Sequence, residues 1–288
     1  MKNVLITGAS GNVGLPLIKF LSLSNKVNVI AGVRDIEKSK NIEGWEKVSR
    51  IKFDFLEPGT YLEALKMCDI LFLLRPPQIS GVKKYFKPLI DLAILQKIEH
   101  IVFLSVQGVE NSNWTPHYKI EKLILKSELP YTFLRPAYFM QNFTTNLRED
   151  LVKHNLVFLP AGDSCFTLID TIDIGKVAAQ VINDYLHHKN KAYDLTAKDK
   201  LTFKEMTEIL SRVLERNIEY QSPSIFRFFI EKSNEKMPFQ LIMIMILLHY
   251  LPRFNKSPEI SPWVKEITEQ DPLTFSQFIR ENVKLLSL

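Results

Sequence analysis

Cysteine is scarce in this chain. Its 288 residues hold two, Cys68 and Cys165, far apart and with no Cys-x-x-Cys pair or Cys/His cluster. Such a sequence offers neither a metal site nor a disulfide framework, and it suits a reducing cytoplasm. Long apolar runs are missing too. The longest, Phe239 to Leu251, is interrupted by Gln240 and His249, whereas a helix that spans a bilayer needs about 20 apolar residues. It also lacks the cationic face of an interfacial helix, so no membrane partner is expected. Residues 1–8 are apolar but too few for a signal peptide, and they run straight into a glycine turn. There is no internal repeat and no low-complexity stretch. Charge of one sign is nowhere concentrated: the net +5 is spread along the chain. That balance suits anionic small ligands and gives no reason to expect a nucleic-acid partner.

What is present is ordinary soluble composition, 46% hydrophobic and 24% charged, arranged in a βα rhythm. Strands are expected at Asn3–Thr7, Val27–Val33, Ser49–Phe53, Ile70–Leu74, His100–Ser105 and Pro130–Leu134. These runs are rich in Val, Ile, Leu and Phe without polar alternation, as strands covered on both faces are. Helical patterns lie between them at Val13–Leu23, Tyr61–Met67 and Val82–Gln96. Further elements are expected at Thr167–Ile169, Ile174–Leu186, Ala192–Leu195 and Thr202–Leu214. From about 221 the rhythm gives way to apolar helical runs punctuated by prolines. The reading is an α/β protein, a Rossmann-type doubly wound parallel sheet with a small, mostly helical C-terminal lobe. All 288 residues are read as one domain, with about 221–288 as the cap.

The strongest motif is Thr7-Gly8-Ala9-Ser10-Gly11-Asn12-Val13-Gly14, between the first strand and a helix. Glycines at 8, 11 and 14 permit a tight turn, close approach of a pyrophosphate and close helix–strand packing. Gly8, Ser10, Gly11, Asn12 and Val13 would cradle the phosphates at the helix N-terminus. Arg34 ends the second strand, with Lys38 one turn further. An acidic residue there usually grips the ribose of NAD, whereas a cation suits the 2′-phosphate of NADP. NADP(H) is therefore favoured over NAD, although Asp35 follows immediately. Asp54 is placed to accept from an adenine amino group, with Phe55 beside the ring. Leu74 and Arg75 end the fourth strand, where Arg75 would reach toward phosphate; Pro76 and Pro77 fix the loop that follows.

Taken together, several segments resemble the NmrA-like family, atypical relatives of the short-chain dehydrogenases/reductases. They are TGASGNVG, GVRDIEK, LSVQG, HYKIEK, LRPAYFMQNF, LIDTIDIGKVAA and DPLTFSQFIREN, in that order along nearly the whole chain. The resemblance implies a Rossmann domain with a small C-terminal lobe. It also implies one of two activities. Some members are NADPH-dependent reductases of quinones and azo dyes; others bind NADP and regulate transcription without catalysis.

Short-chain reductases use a Ser at the end of the fifth strand with a Tyr and a Lys four residues apart. Ser105, Tyr118 and Lys122 supply such a set, and Ser105 also stands where the cofactor would lie. A helical wheel argues for another frame. With Thr115 as cap and Pro116 at the first position, Ile120, Leu123, Ile124 and Ser127 form the buried stripe. At 100° per residue, Tyr118 and Lys122 fall about 160° and 200° from Ile120, while His117 and Glu121 fall about 60° and 100° away, on the stripe's border. The resemblance agrees, matching His117 to the usual lysine position and Asn113 to the tyrosine. Past the sixth strand, Tyr138, Phe139, Met140 and Phe143 offer a flat apolar wall and Asn142 a polar handle for an aromatic substrate. The run Leu241–Leu251 would close the pocket from above. The expected function is an NADPH-dependent reductase of a quinone or similar aromatic or carbonyl acceptor. A silent NADP(H) sensor that binds a protein partner is the alternative, and a homodimer is left open.

Overall fold

Val4, Leu5 and Ile6 are fully buried, as an apolar run shielded on both faces must be. Around this first strand the chain builds β1 (Lys2–Ile6), α1 (Gly14–Ser24), β2 (Val27–Val33), α2 (Ile36–Ser39), β3 (Ser49–Lys52), α3 (Tyr61–Lys66), β4 (Ile70–Leu74), α4 (Lys87–Leu95), β5 (His100–Leu104), α5 (Pro116–Lys126) and β6 (Tyr131–Pro136). There follow β7 (Tyr138–Phe139), α6 (Arg148–His154), β8 (Leu156–Phe158), β9 (Cys165–Ile169), α7 (Thr171–Asn183), β10 (Lys191–Leu195), β11 (Lys200–Thr202), α8 (Phe203–Leu214) and β12 (Glu219–Gln221). Helices α9 (Ile225–Asn234), α10 (Phe239–Tyr250), α11 (Trp263–Thr268), α12 (Phe275–Glu281) and α13 (Val283–Leu286) complete it. This computed structural model describes residues 1–256 and 258–287.

Two units are distinct. The first comprises Met1–Pro136, Thr171–Leu195 and Pro262–Asp271. Its sheet has seven strands in the order β10-β6-β5-β4-β1-β2-β3, every pair parallel. Val4 of β1 lies opposite Val29 on one side and Ile70 on the other. Strand order reverses between β1 and β4, the switch point where doubly wound sheets bind ligands. The predicted Rossmann-type sheet is present, with small shifts at strand ends. The helix expected over Val82–Gln96 is split. Residues Val82–Phe86 make a wide π-type turn before α4, because Pro88 has no N–H to continue a regular ladder.

The second unit comprises Ala137–Asp170, Thr196–Ser261 and the residues from Pro272 on. It begins well before the expected boundary near 221. Besides helices it contains a three-stranded sheet, β11-β9-β7, and a parallel β12–β8 pair. Pro262–Asp271, expected in the cap, belongs instead to the first unit, where Trp263 sets its ring edge-on to Tyr193 at 4.9 Å. Phe143, Leu168, Phe203, Met206, Phe228 and Phe275 fill the second unit's core. No helix among the described residues is long and apolar enough to cross a membrane.

Each unit buries a neutral histidine. His100 Nε2 meets Thr132 Oγ1 at 2.8 Å, and His249 lies between Tyr138 Oη at 3.0 Å and the Met245 carbonyl at 2.6 Å. Burial pushes both imidazoles down from 6.5 to about 4. A depressed histidine contributes stability in full above its unfolded value of 6.5 and loses it as pH falls toward 4. A shift of this size is worth about 3 kcal/mol. The melting temperature is therefore expected to drop steadily between these values. His249→Gln should be less stable near pH 8 and have a flatter pH profile. A wild-type melting temperature unchanged down to pH 4 would contradict this.

Candidate functional site

The glycine turn follows β1 at the switch point. Gly8 takes φ +65°, a conformation that costs glycine little. Its carbonyl accepts the Gly11 N–H at 3.0 Å. Gly14 has no room for a side chain: a Cβ there would sit 2.3 Å from Gly8 O and 2.5 Å from Ala9 O. The turn thus delivers α1 with no acidic residue in its first turn and no side-chain cap. That leaves the positive end of the helix for an anion. Ser10, Gly11 and Asn12 are exposed there, whereas the Val13 side chain is buried. Across the switch point Leu74 N–H donates to Thr7 Oγ1 at 2.8 Å, and the Leu74 side chain lies against Gly8.

A hollow of about 440 Å³ lies beside the turn, lined by Ser10, Val33, Arg34, Asp35, Lys38, Ser39 and Ile42. Asp35, the residue that counted against NADP, is committed elsewhere. It caps α2, accepting the Lys38 N–H at 3.1 Å, and that backbone bond holds its carboxyl below the usual range. Arg34 is exposed and makes no ion pair among the described residues. The hollow therefore presents an unpaired guanidinium and an ammonium, Lys38, that lies 3.6 Å from Asp35. Its donor set suits a phosphate.

The other sequence-predicted cofactor residues divide. Ser105 directly follows β5 at 2% exposure, and its Oγ has no hydrogen-bond partner among the described residues. A buried hydroxyl left unpaired is costly unless a ligand uses it. Asp54 Oδ1 accepts the Leu56 N–H at 2.8 Å. Phe55, expected beside an adenine ring, is buried against Phe53 and Phe86, each 5.0 Å away. Arg75, expected to reach toward phosphate, instead turns inward. Its Nη1 donates to the carbonyls of Pro76, Pro77 and Ile79 at 2.9–3.1 Å, and its Nε donates to His117 Nε2 at 3.3 Å.

That last bond defines His117. Burial first, and the Arg75 charge second, push the imidazole down to about 3. The ring is neutral near pH 7. Because Nε2 accepts from Arg75, the ring hydrogen sits on Nδ1. The Thr115 cap and Pro116 at the helix start are as predicted, and Ile120 and Ile124 are buried. Tyr118 is half-buried, and exposed Lys122 holds its ammonium 5.3 Å from the Tyr118 ring centroid. With Ser105 Oγ unpartnered, no hydrogen bond joins Ser105 to Tyr118.

The sequence did not disclose the ion cluster beside this helix. Glu121, 5% exposed, binds Arg135 through two bonds of 3.0 and 2.8 Å, and Glu110 adds a third at 3.2 Å. Asp194, near the end of β10, is raised by burial. The Glu121 wheel position, on the border of the buried stripe, was the available signal.

In the second unit, Tyr138 is not a surface wall. It is 9% exposed. Because His249 Nδ1 donates to the Met245 carbonyl, Tyr138 donates to His249 Nε2. Met140 and Phe143 are fully buried as well. Phe139 and Asn142 are half-buried, and the Asn142 carbonyl accepts the Leu147 N–H at 2.9 Å. Among the described residues no group of His, Cys, Asp and Glu side chains could hold a metal.

A parallel sheet reversing at β1/β4, with a glycine turn at the reversal, defines a Rossmann-like α/β protein. Residues 1–274 match the model of the NmrA-like family, and the chain belongs to that family. It is 28% identical over 282 residues to the prestalk A differentiation protein A of Dictyostelium discoideum, covering 97% of this chain and 92% of that one. It is 25% identical over 283 residues to an NAD(P)H azoreductase of Xenophilus azovorans, covering 96% of each. In structure it is similar to the Citrobacter sp. triphenylmethane reductase complexed with NADP(H). The TM-score is 0.84 at 20% identity, over 97% of this chain and 99% of that one.

Proposed function

We propose that this chain is an NADP(H)-dependent oxidoreductase that reduces a quinone or a similar aromatic or carbonyl acceptor. The observation that carries the proposal is the hollow beside the glycine turn, where Arg34 is unpaired and Asp35 is spent on a helix cap. The azoreductase relative and the triphenylmethane reductase of similar structure suggest aromatic acceptors. Bound NADPH supplies the hydride. The chain's own residues bind and orient. The turn and α1 receive the pyrophosphate, Arg34 and Lys38 the 2′-phosphate, and the Ser105 hydroxyl completes its bonding on the ligand. His117 offers a neutral Nδ1–H to polarise an acceptor oxygen or hold a ribose hydroxyl. With an imidazole value near 3, it is not an imidazolium acid at neutral pH, so the proton that balances the hydride comes from solvent. Buried Cys68 and half-buried Cys165, both free thiols, fit a reducing compartment.

NADPH oxidation with a panel of small quinones tests the proposal, with turnover above about 1 s⁻¹ expected. Tight NADPH binding with no turnover on any acceptor would favour a cofactor-sensing regulator instead. The absence of a joined Ser105–Tyr118 pair supports that second reading.

Two variants separate the frames of α5. His117→Ala is expected to lower kcat by about tenfold or more, the loss of a placed donor. Tyr118→Phe should change it by less than about threefold. Steady-state kinetics showing the opposite order would restore Ser105, Tyr118 and Lys122 as the working set.

A further inference from the structure

A second hollow, of about 620 Å³, lies wholly within the second unit. Gly162, Tyr220, Ser222, Ser224, Tyr250 and Arg253 line it, and none of these residues belongs to the hollow at Arg34. Its cation is Arg253, which makes no ion pair among the described residues. The guanidinium is exposed, and it lies against two neighbours of its own unit. Its Cζ lies 5.1 Å from the Tyr250 ring centroid. Its Nε lies close to Gly162, where φ is +55° and an added Cβ would come within 2.9 Å of Arg253 Nε. Gly162 is itself pinned: its carbonyl accepts from Tyr220 Oη at 2.9 Å, and its N–H donates to Ser222 Oγ at 2.8 Å.

Arg253 thus lies against a ring and a bare backbone, with no carboxylate in ion-pair distance among the described residues. The fork of a guanidinium matches a carboxylate with two parallel bonds. Tyr250, whose ring also meets Phe254 at 5.3 Å, puts an aromatic side chain in the same lining. Ser224 Oγ accepts the Arg227 N–H at 3.2 Å, and its hydroxyl hydrogen remains to be donated. Asp163 is the acidic residue in the lining. It is not within ion-pair distance of Arg253, and its charge opposes a dianion more than a monoanion.

We infer that this hollow binds a small aromatic carboxylate, clamped by Arg253 and flanked by Tyr250. The test uses the full chain saturated with NADPH, so that the hollow at Arg34 is filled, and 4-hydroxybenzoate as the probe in isothermal titration. One site is expected, with Kd of about 1 mM or below. Arg253→Gln should weaken the probe at least about tenfold, the loss of a charge-assisted pair. Asp163→Asn should tighten it severalfold. The neutral amide, 4-hydroxybenzamide, should bind wild type at least about tenfold more weakly than the acid. Absence of binding up to about 10 mM, equal binding of acid and amide, or unchanged affinity in a folded Arg253→Gln would overturn the inference. Probe binding that the NADPH-free chain shows and the saturated chain lacks would overturn it too, by placing the probe in the dinucleotide site. Should Arg253→Gln fail to fold, the acid–amide comparison on wild type still decides.

Discussion

Gly14→Ala is expected to destabilise the chain by about 3 kcal/mol or more, at the upper end of what overpacking costs, and to abolish dinucleotide binding. The new Cβ would lie 2.3 Å from Gly8 O and 2.5 Å from Ala9 O. Both neighbours are backbone atoms of the turn, so relief requires the turn to open. Gly11→Val should behave differently. At Gly11 a Cβ meets Gly8 O at 3.2 Å and nothing else within 4 Å, and the residue is exposed. The fold should survive with a small loss, while the branched side chain fills the space a pyrophosphate needs. Gly59→Ala is the control, since a Cβ there meets nothing within 4 Å. Thermal unfolding and NADPH titration read the two effects separately. A Gly11→Val protein that binds NADPH normally would remove the turn from the site, and a Gly14→Ala protein of wild-type stability would refute the packing argument.

Arg34→Glu is expected to weaken NADPH binding by about ten- to a hundredfold, the range of a lost charge-assisted contact plus repulsion. NADH, which has no 2′-phosphate, should be affected severalfold at most. The asymmetry follows from geometry: Asp35 is held by the Lys38 N–H and ammonium, so Arg34 lines the hollow with no ion-pair partner among the described residues. Equal losses for both dinucleotides, measured by fluorescence titration, would show that Arg34 acts on the turn and not on a 2′-phosphate.

These expectations rest on features legible in the sequence to different degrees. Strands such as Ile70–Leu74 and His100–Leu104 were readable because a strand buried on both faces is a continuous apolar run. The glycine turn was readable because its residues are local and its flanks are a strand and a helix. What escaped depends on side-chain direction or on distant partners. The sequence places Arg75 at the ligand edge of β4. It could not show that Pro76, Pro77, Ile79 and His117 would turn it inward. Asp35 next to Arg34 reads equally well as a ribose ligand or a cap until backbone angles are known. Tyr138 looked like a surface wall because its partner His249 lies 111 residues away. The second unit's strands, such as β7 with two residues, are too short to carry a period. Nothing local marks the return of Pro262–Asp271 to the first unit.

The central claim is that the hollow at the end of β2 makes this member of the NmrA-like family an NADP(H) protein. Parallel binding isotherms of NADPH and NADH on the wild-type chain test it most directly. The account predicts one site, with NADPH tighter by about tenfold or more, the worth of a paired 2′-phosphate. Equal affinities, or no binding of either dinucleotide up to about 1 mM, would contradict it.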